Sequence, residues 1–344
     1  MKNVIALPMI LAASAMLSGC WLDSSSSSSR ITDQPTQSIL EIAVENENTT
    51  ILEAAVLAAN PTIAELLDGD VPLTVFAPTD AAFEALLEDL GLTAEELLDD
   101  TALLNAVLTY HVLARSVGEV KADAAISVAQ NPVPQNLVET ENGKDVALSI
   151  SQENGEAVLY VNTSRVTVTD VGATNGVVHL IDKVLVPPPS ALSNTDLTIA
   201  EIVTALAEAE EGAEFTILLA ALGTPGASDL LDTALNTDAN LTVFAPTDTA
   251  FVTLLGELGL TPEQLLDSPD LPGILQQHIL NTRVDSLTAY GSNGGTVPNL
   301  AGTTLSVDIQ NNALVIEGSN VIEADVEAAN GVIHVIDKVI FSVN

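Results

Sequence analysis

The chain has 344 residues, with 47 acidic and only 9 basic side chains, and its formal net charge of −38 makes nucleic acid and anionic lipid poor partners. Apolar residues make up 47%, enough for ordinary cores and too many for a disordered chain, and the length fits two domains of roughly 150 residues. Aromatics are only 3%, so a groove lined with stacking platforms for sugars or bases is not expected.

Residues 1–19 read as a secretory signal: Lys2 supplies a short charged region, an apolar stretch follows from Val4 to about Leu17, and small residues precede Cys20. Leu17-Ser18-Gly19-Cys20 resembles the lipobox of bacterial lipoproteins, which implies lipidation at Cys20 and membrane attachment through that lipid. By the same resemblance, Trp21 in place of Asp implies sorting to the outer membrane of a Gram-negative cell. Cys20 is the only cysteine, so an internal disulfide and a thiolate metal cluster are excluded. Residues 20–35 contain the unbroken run Ser24 to Ser29 and read as a flexible tether.

The rest of the chain is written twice. Leu73-Thr74-Val75-Phe76-Ala77-Pro78-Thr79-Asp80 returns unchanged at 241–248, and Asn175-Gly176-Val177-Val178-His179-Leu180-Ile181-Asp182-Lys183-Val184 returns with conservative changes at 330–339. This divides the chain into domains at 36–188 and 195–344, joined by a Pro-containing linker at 189–194. Phe76 to Asp182 spans about 106 positions and Phe244 to Asp337 about 93. The surplus is expected around Glu139 to Glu156, in a longer hairpin or loop.

In each unit helices come first. Apolar spacing predicts a helix from Ser38 to Ala59, stopped at Asn60-Pro61. Leu73 to Phe76 reads as a short buried strand ended by Pro78. Thr79 or Asp80 then caps a helix to about Leu90, with Gly91 as its stop. Thr93 with Glu96, and Thr261 with Gln264 behind Pro262, form capping boxes. A further helix is expected near Thr101 to Leu113. Strands follow at Val158–Val161 and Val166–Val168, and Asn175-Gly176 marks a turn into a last strand from Val177 to Val186. Helices followed by antiparallel strands argue an α+β class.

These blocks resemble the fasciclin (FAS1) domain, present twice. The resemblance rests on Thr-Val-Phe-Ala-Pro-Thr-Asp-x-Ala-Phe at 74–83 and 242–251, on Tyr110-His111 with Gln277-His278 as counterpart, and on Asn-Gly-x-x-His-x-Ile-Asp-x-Val at 175–184 and 330–339. It implies two tandem domains, each a β-wedge or sandwich with helices packed alongside, and a role in adhesion to proteins, matrix or cell surfaces. It points to Phe76, Pro78, Asp80, Tyr110, His111, His179 and Asp182 as structural or contact residues. The second copy adds Phe244, Pro246, Asp248, His278, His334 and Asp337. It also implies Asp80 and Asp248 as partners of His111 and His278, and a Tyr-His contact of the kind some animal members make with integrins.

The chemistry-bearing residues argue against catalysis. One His per site is too few for a closed zinc shell. The chain lacks Gly-x-Ser-x-Gly, a phosphate-binding loop and His-Glu-x-x-His. Acidic clusters at Asp99-Asp100 and Glu208 to Glu211 lack the spacing of a calcium loop. No cofactor, metal or catalytic residue is therefore expected. The reading is a lipid-anchored adhesion or interaction protein of the cell envelope. The alternatives are a small apolar-ligand carrier, using a gap between helices and sheet, or an envelope hydrolase with His, Asp and a hydroxyl meeting in an open cleft.

Overall fold

In the computed structural model, residues 35–153, 155–188, 196–209 and 212–341 are described. The signal segment, Cys20, the tether up to Gln34 and the linker 189–194 lie outside the described residues, as does Thr195.

The first repeat opens with helices α1 (Ile39–Glu45), α2 (Thr50–Ala58) and α3 (Pro61–Leu67), then strand β1 (Leu73–Pro78). Helices α4 (Asp80–Leu90), α5 (Ala94–Asp99), α6 (Thr101–Tyr110) and α7 (Ala122–Ala129) come next. A meander closes it: β2 (Leu137–Glu139), β3 (Asp145–Glu153), β4 (Glu156–Val161), β5 (Ser164–Ala173) and β6 (Gly176–Ile181). The second repeat opens with α8 (Ile199–Ala207), α9 (Thr216–Leu222), α10 (Ser228–Leu235) and β7 (Leu241–Pro246). It continues with α11 (Asp248–Leu258), α12 (Pro262–Leu266), α13 (Leu271–Gln277), β8 (Ile279–Leu280) and α14 (Ser286–Gly291). Strands β9 (Gly295–Pro298), β10 (Thr304–Gln310), β11 (Ala313–Ile316), β12 (Ser319–Ala328) and β13 (Gly331–Ile336) complete it.

Local signals set many of these ends. Thr79 is the cap of α4, accepting from Ala82 N–H, and Gly91 ends it in the left-handed region. Both capping boxes form, at Thr93/Glu96 and Thr261/Gln264. The helix expected over 38–59 is instead two helices. Asn46 turns the chain by accepting from Asn48 N–H, and the buried Thr49 hydroxyl bonds the Ala43 carbonyl. Asn60-Pro61 both ends α2 and starts α3, with Asn60 as the cap. The helix expected to reach Leu113 stops at Tyr110, because Val112 leaves it to bridge Val75 of β1. The last strand ends at Ile181 rather than Val186.

Each repeat builds one curled sheet, in the order β1-β6-β5-β4-β3-β2 and β8-β7-β13-β12-β11-β10-β9. The strands are not all antiparallel: β1 lies parallel to β6, and β7 parallel to β13. Two cores flank each such pair. Leu73, Val75 and Ala77 enter the core beneath the helices, and Phe76 enters the one inside the curl. Leu241, Val243 and Ala245 repeat this against Phe244. The period of two places alternate residues on opposite faces.

The length surplus is not mainly in the hairpin. Leu148 pairs with Val161 thirteen positions on, and Val307 with Ile316 nine positions on, a difference of four. The larger part lies before the sheet, between His111 and the strand β2, where α7 is longer than α14. The two repeats cluster into one compact unit.

Candidate functional site

The two longest repeated motifs fold against each other. Residues 73–78 and 176–181 run side by side, from Leu73 beside Gly176 to Pro78 beside Ile181, and all twelve positions are buried. The second repeat matches, from Leu241 beside Gly331 to Pro246 beside Ile336. Phe76 stacks on His179 with ring centroids 5.7 Å apart, and Phe244 stacks on His334 at the same distance. Gly176 is required here: a Cβ on it would stand 2.0 Å from the Leu73 carbonyl oxygen, and one on Gly331 would stand 2.1 Å from that of Leu241.

Every histidine is held by backbone at both ring nitrogens. His111 Nδ1 lies 2.8 Å from the Val107 carbonyl and so carries the proton, while Nε2 accepts from Leu185 N–H at 2.9 Å. His278 does the same between Ile274 and Ile340. Burial in the apolar core pushes both pKa values down to about 4, against the small opposing pull of the carbonyl. His179 uses Nε2 on the Val120 carbonyl and accepts from Asp170 N–H at Nδ1. His334 uses Nε2 on the Val284 carbonyl and accepts from Asp325 N–H. Asp170 and Asp325 sit where β5 and β12 shift register, each at positive φ.

The expected pairing of Asp80 with His111, and of Asp248 with His278, does not form. Asp80 instead accepts from Ile51 N–H and the Thr50 hydroxyl, both at 2.8 Å, and so caps the first turn of α2. Asp248 accepts from Thr216 and Ile217 at the start of α9. A carboxylate there meets unpaired N–H groups and the positive end of the helix dipole, which a buried neutral imidazole cannot offer. Asp182 and Asp337 accept from Arg165 and Asn320 N–H, pinning the start of β5 and β12 to the end of the last strand. Tyr110 is fully buried, donating to the Asp145 carbonyl at 2.7 Å and accepting from Asn162. Its counterpart Gln277 is buried as well. With Tyr110, His111 and the strand residues inside, only the four aspartates of the motif set are partly accessible.

Sequence reading missed the hub of each repeat. Asn175 is more than a turn residue: its carbonyl oxygen accepts from Ile39 N–H, and its amide donates to Leu67 and Gly69. Asn330 makes the same bonds to Ile199, Ala234 and Asn236. Buried Thr74 and Thr242 each donate to one loop carbonyl and accept one loop N–H. The signal available was repetition of a polar residue inside an apolar block.

The gap between helices and sheet is filled. The voids beside His111 and His278 are about 20 and 30 Å³, room for about one water, which leaves no space there for the ligand of the apolar-carrier alternative. Among the described residues, no three His, Cys, Asp or Glu side chains are grouped to hold a metal. Nor is any described helix long and apolar enough to cross a membrane.

The family model for the Fasciclin domain matches residues 30–187 and 213–342. Transforming growth factor-beta-induced protein ig-h3 of Sus scrofa is 33% identical over 285 residues, covering 80% of this chain and 35% of that protein. Periostin of Homo sapiens is 28% identical over 280 residues, covering 81% and 29%. Cell surface glycolipoprotein MPB83 of Mycobacterium bovis is 32% identical over 115 residues, covering 33% and 44%. The chain thus spans about a third of the length of the first two of these curated relatives. Among solved structures, a FAS1 domain pair from the insect cell adhesion molecule fasciclin I aligns with TM-score 0.36 and 20% identity, over 85% of this chain and 96% of that one. With both repeats matched by the family model and each built on the same buried strand pair, the chain belongs to the fasciclin domain family.

Proposed function

We propose that this chain is an interaction protein held outside the cytoplasm by a lipid on Cys20, at an outer membrane, with both fasciclin domains engaging protein or matrix partners. The observation that carries the reading is the fasciclin match over both repeats, since such domains support an adhesion or interaction role. A relative named a cell surface glycolipoprotein is in keeping with the anchored form. The two domains lie in one compact unit, so a repeated target meets two copies at a fixed spacing and gains avidity. A binding role also accords with the four histidines, whose ring nitrogens are all engaged by backbone.

Protease treatment of intact cells tests the reading. Digestion of residues 36–344 without lysis is expected for adhesion at the outer surface. Protection until the outer membrane is opened would place the domains in the periplasm and remove adhesion to other cells. Cys20→Ser should release the chain from the membrane fraction. Retention of that variant in the membrane would overturn the lipid anchor.

A further inference from the structure

A cleft between the repeats belongs to neither core. It measures about 500 Å³, within the ~300–1,000 Å³ of small-molecule sites, which favour domain boundaries. Ala82, Ala85 and Leu86 of α4 form one wall, and the segment Val184 to Val186 leaving the sheet forms the other. Tyr290 and the Asn311-Asn312 turn of the second repeat close it. Leu90 and Val186 stay half-exposed at its edge, at 51% and 50%, apolar surface that an occupant would cover.

Lys183 is the cation of this cleft. Its ammonium reaches across the repeat boundary to the Asn312 carbonyl at 2.7 Å. That acceptor is neutral, and an ammonium has three N–H groups to donate. None of the ion pairs formed among the described residues involves Lys183. Burial pulls its pKa below that of a free lysine, while Asp89 and Asp182 act to keep it charged. Asp89 and Asp182 also line the cleft and already outnumber Lys183, so a carboxylate is held only in direct contact with the ammonium and a second one is repelled. The equivalent Lys338 is exposed.

We propose that the cleft between the repeats binds a small amphiphilic monocarboxylate, its carboxylate on the Lys183 ammonium and its apolar chain along Ala82, Ala85 and Leu86. The site exists only in the paired molecule, since each repeat supplies part of its wall. It requires no adhesive partner and stands apart from the function proposed above.

The net charge of −38 opposes any anion at long range, so the test is run in about 0.5 M NaCl, where screening confines electrostatics to a few ångströms. The full chain is titrated with sodium octanoate by calorimetry, alongside suberate, which adds a second carboxylate, and 1-octanol, which has none. Saturable octanoate binding is expected, with suberate and octanol weaker by about tenfold or more. Lys183→Met should weaken octanoate by at least about tenfold. Ala85→Trp fills the cleft from an exposed helix position and leaves the Lys183 bond to Asn312 in place. It should abolish binding with the melting temperature unchanged. Absence of saturable binding at millimolar octanoate would overturn the proposal, as would equal binding by Lys183→Met or by a folded Ala85→Trp.

Discussion

The two repeats agree closely at the buried strand pair and part company around Tyr110. In both, an Asn ties the opening helix to the sheet, a Gly lets two strands touch, and a neutral His joins a helix end to the exit segment. Around Tyr110 the polar groups change as a set. Asn162 caps Ala147 N–H with its carbonyl oxygen and donates its amide to the Tyr110 hydroxyl. At the matching place Glu317 keeps the first bond, to Ser306 N–H, but as a carboxylate it has no donor to give. The tyrosine is then replaced by Gln277. The pattern separates what any copy of this domain needs from what one copy happens to use. It also makes the equivalence of the copies testable.

The largest effect should be equal in both. Gly176→Ala and Gly331→Ala each drive a Cβ into a backbone carbonyl that cannot swing aside. Each is expected to cost about 4 kcal/mol or more, at the extreme end of single substitutions. Urea denaturation of the two variants checks this, and tolerance of either one breaks the equivalence at the strand pair.

Acid should come next. His111 and His278 stay neutral in the folded state to about pH 4, while unfolded His protonates near pH 6.5. Between those values the unfolded chain binds more protons, so stability falls as pH drops through the window and is fully present above it. The loss approaches roughly 3 kcal/mol per His, before solvent relaxation reduces it. His334, lowered chiefly by burial, adds to the slope of the second repeat. Carboxylates begin to titrate below about pH 5 and relieve repulsion in a chain this acidic, so the slope is best read above that. His278→Gln should remove that histidine's share, so that the urea midpoint of the whole chain falls less steeply between about pH 7 and pH 5 than in the parent, and an unchanged slope would mean that His278 does not carry it.

What sequence could show follows the range of the forces involved. Thr79, Gly91 and the Thr93/Glu96 box act within one turn of their own helix, and the residues there declare the helix ends. The block identical at eight positions in the two copies declared a strand for the same reason. Its parallel partner lies about a hundred positions away, and no local residue records that pairing. Asp80 misled because the nearest helix start is its own, yet its carboxylate serves α2, thirty positions earlier. The cleft could not be read at all, since Lys183 and Lys338 stand in the same motif and only the fold covers one of them.

The Tyr110 difference can be sharpened by exchange. Tyr110→Phe leaves the Asn162 amide and the Asp145 carbonyl without this partner in a buried place, for a loss of about 1–3 kcal/mol. Gln277→Tyr alone brings a phenol beside a carboxylate that cannot donate to it. Gln277→Tyr with Glu317→Asn restores the donor. A double-mutant cycle should give a favourable coupling of about 1 kcal/mol between the two changes. A coupling of zero would mean that the first repeat's tyrosine pair has no counterpart environment in the second.

A further effect, of similar size, tests whether the copies act singly or together. Asn136, fully buried in the first repeat, donates its amide both to the Leu148 carbonyl at its side and to the Gly291 carbonyl across the boundary. Gly291 has no room for a side chain: a Cβ would stand 2.7 Å from Val133 Cγ2 and 2.9 Å from Asn136 Nδ2. Those atoms end side chains rather than backbone, so Gly291→Ala can be accommodated by a shift costing about 1–2 kcal/mol. The shift falls on the contact between repeats and leaves each buried strand pair intact. A joined pair melts in one transition, because losing one repeat exposes the boundary surface of the other. Calorimetry should therefore show one transition for the parent chain and a broadened or divided one for Gly291→Ala. A single sharp transition at a slightly lower temperature in the variant would mean that Lys183 and the remaining boundary contacts suffice to keep the repeats as one folding unit.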